Sequence, residues 1–489
     1  MLKGDSENTK IRVINSLFWK LMERGGAQGI QFIVQIVLAR ILSPNDYGII
    51  SLITIFIALA NVFIQSGFNT ALIQKKNVKE EDFSSVLYVS LGVATIIYSV
   101  LFFVSPFIAD FYKIAELKQV LRILSIILFF GAFNSIQNAI ISRTMQFKKL
   151  FIVSVFSILI SGIVGISLAY LGFGVWALVA QQITNQVSIT FILWFTLKWR
   201  PQLTFSINRV GYLFSYGWKL LVSSLIDTLY MNLRGLIVGK VYTSDMLAFY
   251  NRGEQFPQLI VNNINGSIQS VMLPTLSEEQ DNKKRVKELV RRSIVTSSFL
   301  IFPLMIGLAA VGEPLIKILL TDKWLPCVPF MQIFCLTYAL WPIHTSNLQA
   351  INAIGRSDII LKLEIIKKIL GVSILIVSMD YGIFAVALGG LLSGIISSFI
   401  NSYPNLKLLN YSYKEQIKDI LPSLILSLIM GLVVYGFLFF NISLYLTLVI
   451  QVFTGAIVYI GLAKLFKLEC YEYLLFTIKD ILIKKTKQS

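Results

Sequence analysis

Charge is scarce in this chain: Asp, Glu, Lys and Arg make up 14% of 489 residues, while 56% are apolar. A soluble protein of this size needs far more charge to cover its surface, typically about a quarter of its residues. A large water-soluble fold is therefore excluded. Histidine occurs once, as His344, which reads as a satisfied core residue beside Pro342 rather than as a proton relay. The three cysteines, Cys327, Cys335 and Cys470, have neither metal-ligand nor disulfide spacing. There is no nucleophile triad, no HExxH, no Gly-rich phosphate loop with its Lys and Ser/Thr, and no acidic metal cluster. An enzyme, a metal site and a bound cofactor are not expected. Polar stretches long enough to form a separate soluble domain are also missing.

Long apolar runs take their place, and the mean hydropathy is +0.73. A membrane helix uses about 20 apolar residues, and 14 such segments occupy well over half the chain. Six fall at Ile11–Leu42, Tyr47–Ile73, Phe83–Phe111, Val120–Ser142, Leu150–Leu171 and Val175–Leu197. Six more fall at Gly211–Val241, Glu254–Ser277, Ser293–Val311, Pro329–Ile354, Ile359–Met379 and Ile383–Tyr403, followed by Ile420–Phe440 and Leu444–Ala463. A barrel would show short alternating segments instead, so the expected class is an all-α polytopic membrane protein. The polar opening MLKGDSENTKIR runs into the first segment with no small-residue cleavage site, and reads as part of a retained helix rather than a signal peptide.

The net charge of +17 would suggest nucleic acid in a soluble protein. Here it reads as positive-inside loops facing the lipids of an anionic leaflet, with no nucleic-acid partner. With the N-terminus cytoplasmic, inner segments hold 31 of the 43 Lys and Arg. Both termini are therefore expected inside a bacterial inner (plasma) membrane. The longest inner loop, EEQDNKKRVKELVRR at Glu278–Arg292, reads as a solvated helix at headgroup level.

The chain also resembles itself. Ser16, Trp19, Lys20, Leu21 and Asp46 recur 199 residues later as Ser215, Trp218, Lys219, Leu220 and Asp245. Asn134, Arg143 and Lys149 correspond to Asn347, Arg356 and Lys362, and the run beginning Gly174 is echoed at Gly382. Three matches in one order imply two six-helix lobes, 1–200 and 201–410, with two extra helices and a basic cytoplasmic tail at 411–489. Six is even, so the lobes share one orientation about an axis along the membrane normal. A pair of lobes that rock about a site between them is a transporter architecture.

Polar stripes mark where that site is expected. Lys20, Arg24, Gln28, Gln31 and Gln35 share one face of the first helix by their 4, 4, 3, 4 spacing. The repeat maps them onto Lys219, Ser223, Asp227, Tyr230 and Arg234 in helix seven. A charge at mid-bilayer costs about 3 kcal/mol, so these residues should face protein or water. One reading is a cationic central cavity, in which Arg24, Arg234, Lys20 and Lys219 hold an anionic head group while Asp227 and Glu23 balance charge or couple an ion. The other is a set of static pairs across the lobe interface, with Lys20 and Lys219 snorkelling to the cytoplasmic surface. Asn262 and Asn265, within a longer amide stripe on helix eight, suit sugar hydroxyls, as do Gln28, Gln31, Gln35 and Tyr230. Such amides also serve as helix-to-helix glue.

GFGVWALVAQQ at Gly172–Gln182, WRP at Trp199–Pro201, ARILSPNDYG at Ala39–Gly48 and AFYNRGEQFPQL at Ala248–Leu259 resemble the Wzx-type, WzxC-like polysaccharide-transport flippases. PLMIGLAAVGEPLIKILLTDKW at Pro303–Trp324 and NAIGRSD at Asn352–Asp358 extend the likeness. The resemblance implies the multidrug/oligosaccharidyl-lipid/polysaccharide exporter fold. It also implies passage of an undecaprenyl-diphosphate-linked oligosaccharide to the outer leaflet for lipopolysaccharide, capsule or exopolysaccharide assembly, alongside polymerase and export machinery. A drug or cation antiporter of the same fold, and a membrane scaffold that moves nothing, are the alternatives. The antiporter would want carboxylates to dominate the stripes, and the scaffold would need no buried charge in both lobes.

Overall fold

The computed structural model describes Trp19 and residues 22–65, 67–440 and 442–476. Lys20 lies outside the described residues, as do the side chains of Glu23 and Arg24. Among the described residues there are helices and turns and no strand. The fold is all-α, as the hydropathy requires.

Two compact units meet in sequence at Ala248 and Phe249. The first holds a π-turn at Glu23–Ala27 followed by α1 (Gln28–Ile41), α2 (Pro44–Gln65), α3 (Phe68–Gln74), α4 (Glu80–Tyr112), α5 (Glu116–Leu124), α6 (Ile127–Thr144), α7 (Phe147–Tyr170), α8 (Val175–Thr196) and α9 (Ile207–Val241). α10 (Ser244–Glu278) starts at the junction. The second unit continues with α11 (Lys283–Ala310), α12 (Gly312–Leu320), α13 (Val328–Ala339), α14 (Trp341–Ala353), α15 (Ser357–Ser378), α16 (Ile383–Leu409), α17 (Tyr413–Gly436) and α18 (Leu444–Leu465).

Local chemistry sets the helix starts. Pro44 opens α2, where its missing N–H costs nothing, and Ser43 and Asp46 cap each other's backbone N–H groups at 3.2 and 2.9 Å. Ser412 and Glu415 repeat this exchange at the start of α17, at 3.2 and 2.7 Å. Gly174 and Gly382, the echo seen in the repeat, precede α8 and α16 with φ of 54° and 99°, a region that side chains with a Cβ rarely adopt.

Ten helical stretches among the described residues are long and apolar enough to cross a bilayer. The segments expected at Val175–Leu197, Glu254–Ser277 and Ile359–Met379 are also helical, as α8, α10 and α15, but are too polar to be among the ten. Of the first segment, only a short apolar helix, Gly25–Ile41, lies within the described residues. A polar helix cannot turn every face to lipid, so these three need protein or water beside them. Lys362, Lys367 and Lys368, three of the 31 bases assigned to inner segments, lie inside α15, where Lys367 bonds Glu364.

Other boundaries moved for identifiable reasons. Tyr47–Ile73 is two helices, broken at Gly67 with φ of 87°. Val120–Ser142 breaks at Ser125–Ile126, and Pro329–Ile354 breaks at Leu340, just before Pro342. These last two breaks each lie roughly two turns before a repeat-matched asparagine, Asn134 or Asn347. The polar loop at Glu278–Arg292 is mostly helix: α10 runs to Glu278, and α11 begins at Lys283 with Asn282 as its cap, accepting from Arg285 N–H at 3.2 Å.

Lipid is as apolar as leucine, so hydrophobicity does not press helices together, and close approach of small residues does. α9 lies along α2 in this way: a Cβ at Gly235 would sit 2.8 Å from Ile55 Cδ1, and one at Gly217 would sit 2.8 Å from the Gly67 carbonyl carbon. α1 packs on α7 through Gly162, where an added Cβ would come within 2.9 Å of Val34. The start of α9 is held by charge instead. Asp82, fully buried, bonds Lys75 Nζ at 2.9 Å and Arg209 at 3.1 Å, and also caps α4 through Lys79 N–H. The stretch before α9 is strapped to α4 by bonds from Gln202 N–H to Ser84 Oγ and from Ser206 N–H to Ser85 Oγ, at 2.9 and 3.1 Å.

Buried amides tie each unit from within. In the first, Asn134 Nδ2 donates to Gln186 Oε1 at 2.7 Å, and Thr190 Oγ1 donates to Asn134 Oδ1 at 2.8 Å, joining α6 to α8. In the second, the repeat-matched Asn347 Nδ2 donates to Gln416 Oε1 at 2.7 Å. Its Oδ1 accepts from Asn405 Nδ2 at 2.6 Å and from Gln416 Nε2 at 3.1 Å, joining α14, α16 and α17. His344 shares a bond of 3.1 Å with Asn401 on the same side of the bundle, in keeping with a structural histidine. We predict that Asn347→Leu, which strands two amides in a dry interior, costs about 2–4 kcal/mol. The detergent-solubilised protein should melt several degrees lower, whereas Asn352→Leu on the exposed side of α14 should melt like the parent.

Candidate functional site

α9 and α10 are each 35 residues long, roughly 50 Å, and so exceed the thickness of a bilayer's hydrocarbon core. On α9, Lys219, Ser223, Asp227, Tyr230 and Arg234 share one face, about 130° round the helix from the glycine face that packs on α2. Lys219, Ser223 and Asp227 are exposed within the chain, and Tyr230 and Arg234 are half-buried. The stripe inferred from the repeat is therefore a continuous polar strip of the first unit, left uncovered by its main packing neighbour. Asp227 and Arg234 lie two turns apart on it.

The first helix divides its glutamines. Gln28 is exposed, and Gln31 is half-buried with its Oε1 enclosed and without a hydrogen bond among the described residues. Gln35 has a protein partner, since its Oε1 accepts from Tyr47 Oη at 3.4 Å. The π-turn at Glu23–Ala27 precedes this strip; such wide turns occur often at functional sites.

In the second unit, Asn262 is exposed on α10 while Asn265 is 2% exposed. Neither polar atom of the Asn265 amide has a hydrogen-bond partner among the described residues. An enclosed, unpaired amide costs about 1–3 kcal/mol, which an incoming hydroxyl or water can recover. Another amide acts as glue between helices: Gln186 of α8 is bound to Asn134 of α6.

Two charged residues on α10 escaped the stripe reading. Arg252, 6% exposed, lies 5.0 Å over the ring of Trp324 and donates to Gln255 Oε1 at 2.6 Å. Glu254 accepts from Tyr338 Oη at 2.9 Å. The signal was present in AFYNRGEQFPQL, a charge-bearing run early in the helix that carries the amide stripe. The repeat-matched arginines do different work. Arg143 donates to the carbonyls of Leu72 and Ile73 in the last turn of α3 and of Lys75 and Lys76 just after it, at 2.6–3.1 Å. Arg356 instead forms a two-pronged pair with Asp358 at 2.8 and 2.9 Å, and holds that carboxyl down to about 2. Asp358 is therefore ionised throughout the physiological range, and its contribution would fade only below its unfolded value near 4, in strong acid.

The chemistry of both strips is polar and hydrogen-bonding, with cations beside amides and hydroxyls. Among the described residues no group of three or more His, Cys, Asp and Glu is placed to hold a metal ion. We predict that cysteines at Asp227 and Asn262 react with a water-soluble maleimide, and that one at the lipid-facing Leu432 does not. All three native cysteines are buried, so the background is low. Silent positions 227 and 262 in every accessible state would remove the case for water-lined strips.

Comparison with known proteins bears on which site this is. Residues 37–329 match the model of a family described as polysaccharide biosynthesis protein. The chain is 21% identical over 348 residues to the succinoglycan biosynthesis transport protein ExoT of Rhizobium meliloti, covering 71% of this chain and 70% of that one. It is 22% identical over 440 residues to the lipopolysaccharide biosynthesis protein WzxC of Escherichia coli, covering 87% and 89%. In structure it is similar to the lipid II flippase MurJ in an inward closed conformation, with a TM-score of 0.75, 18% identity, and coverage of 94% of this chain and 100% of that one. The chain is thus a multi-pass membrane protein of the polysaccharide biosynthesis protein family, with a MurJ-like fold.

Proposed function

We propose that this protein is a flippase. It carries undecaprenyl-diphosphate-linked oligosaccharide units across the bacterial inner membrane by alternating access, for lipopolysaccharide, capsule or exopolysaccharide assembly. The observation that carries this reading is the polar strip on α9, where Lys219, Asp227, Tyr230 and Arg234 occupy one face of a membrane-length helix off its packing side. Keeping charge there costs insertion energy, which a structural helix would avoid. A diphosphate offers what an Arg fork and a Lys point charge recognise. The names of the relatives support the same direction, as transport or biosynthesis proteins of polysaccharides.

In this proposal two six-helix lobes, 1–200 and 201–410, are followed by two extra helices and a tail at 411–489, giving about 14 crossings with both termini cytoplasmic. Arg24, Arg234, Lys20 and Lys219 receive the diphosphate. Gln28, Gln31, Gln35, Tyr230, Asn262 and Asn265 meet the sugar, and Asp227 with Glu23 couples an ion. The cargo is the partner that matters, while polymerase and export machinery act downstream. The chain transports rather than catalyses.

Three measurements test this. Arg234→Ala and Arg24→Ala should each weaken cargo binding about ten- to a hundredfold, the loss of one charged hydrogen-bonding partner. Surface polysaccharide should disappear while protein abundance in the membrane is unchanged; normal export by both variants would defeat the diphosphate assignment. Removing the gene should accumulate a diphosphate-linked oligosaccharide on the inner leaflet, whereas a changed drug tolerance without that intermediate would favour the antiporter. Flipping in proteoliposomes should respond to an imposed pH or sodium gradient in the parent and not in Asp227→Asn. Equal responses would leave Asp227 a structural charge.

A further inference from the structure

The charge-rich start of α11 does more than sit in solvent. Together with the start of α17 and the segment after α18, it walls a cleft of about 460 Å³, which adjoins a second of about 420 Å³. Both volumes lie within the range of ligand pockets. Most charges here are already matched. Arg291, shared by both clefts, pairs with Asp419 at 3.1 Å and with Glu469 at 3.2 Å. Lys287 pairs with Glu415 at 3.6 Å, and Arg285 with Glu288 at 3.2 Å. Two cations are left over. Lys418 on the first cleft and Arg292 on the second have no carboxylate partner among the described residues, and Arg292 rests 4.6 Å over the ring of Tyr473.

Lys418 also heads a particular surface. Counting along α17 at helical spacing, Leu421, Ile425, Leu428, Ile429 and Leu432 continue from it, each 40–74% exposed. A cation at the mouth of a cleft, followed by an uncovered apolar stripe as long as an acyl chain, matches an amphiphile with a phosphate at one end. Val295, Pro422 and Leu468 supply apolar wall where the cleft meets that stripe.

We propose that these adjoining clefts bind the phosphodiester of an anionic glycerophospholipid from the inner leaflet, with Lys418 of the first and Arg292 of the second as the cations for the phosphate and an acyl chain along α17. Basic pockets between transmembrane helices at the cytoplasmic side recognise such head groups in general. The assignment to the inner leaflet rests on the orientation proposed above. The pairs of Arg291 with Asp419 and Glu469 keep the acidic side chains off the phosphate, so the two spare cations face it. Bound lipid would brace α11, α17 and the segment after α18 against one another, so the site should stabilise the second unit.

The test uses the full-length protein purified in detergent, where binding depends on neither orientation nor transport. Phosphatidylglycerol, phosphatidylethanolamine, phosphatidylcholine, inorganic phosphate and pyrophosphate are titrated separately, with bound lipid counted by native mass spectrometry and melting followed in parallel. Phosphatidylglycerol should bind stoichiometrically and raise the melting temperature. Lys418→Gln with Arg292→Gln should weaken it at least fivefold, while Lys418→Arg should not. A photoactivatable phosphatidylglycerol should mark residues 413–436 of the parent protein, a readout that needs no variant. Equal binding by parent and double variant, or labelling elsewhere, would overturn the site. Equal binding of the zwitterionic lipids would overturn the charge assignment. Saturation by inorganic phosphate or pyrophosphate with the same stabilisation would show an anion site without a lipid. Loss of lipid binding with flipping intact would leave the transport proposal standing, and the reverse result would leave this one standing.

Discussion

Hydrocarbon offers no hydrogen bonds, and every polar group in this chain that enters it must find a partner in protein or water. The rest of the structure depends on how that constraint is met. The two amide clusters meet it completely at their centres, since Asn134 and Asn347 each use both ends of the amide. Their chemistry also decides which helices belong together. Gln416 places α17 in the same network as α14 and α16, so α17 is bound into the second unit by a buried amide contact. Around these clusters, glycines let backbones approach where side chains would hold them apart.

A second consequence is that charge collects where helices leave the apolar layer. Asp82 serves Lys75, Arg209 and the α4 cap at once, and Arg143 serves four carbonyls at the end of α3. Each is a multiple use of one charged group, which lowers the cost of enclosing it. The repeat preserved the arginine at 143 and 356 while its partners diverged, from carbonyls in one unit to a carboxylate in the other. What the repeat conserves is a charge at a helix boundary, not a particular bond.

Against this background the strip on α9 stands out. Its polar groups are neither at a helix end nor on the packing face, and the helix bears their cost along several turns. The amide of Asn265 and the Oε1 of Gln31 are a separate exception, enclosed without a hydrogen-bond partner among the described residues. In a transporter such exceptions are expected at the cargo path, because the partner that satisfies them is present only part of the time.

Composition and periodicity alone determined the class, the helical segments and the polar strip. Twenty-residue apolar runs and a spacing of three and four have no other stable form in a bilayer. The repeat was legible because its landmarks are backbone requirements: Gly174 and Gly382 both need a conformation that disfavours a Cβ. Sequence could not tell a binding amide from a structural one. Gln186, Gln35 and Asn265 look alike in sequence, and only the folded chain shows the first bonded to Asn134, the second to Tyr47 and the third to no group among the described residues. Sequence did read the basic run after Glu278 as helix, but it could not foresee that Arg291 would find Asp419 and Glu469 far along the chain. Helical periodicity is a local property that the chain carries everywhere. Hydrogen-bond satisfaction is settled only when distant segments meet, and it was the tertiary structure that decided it.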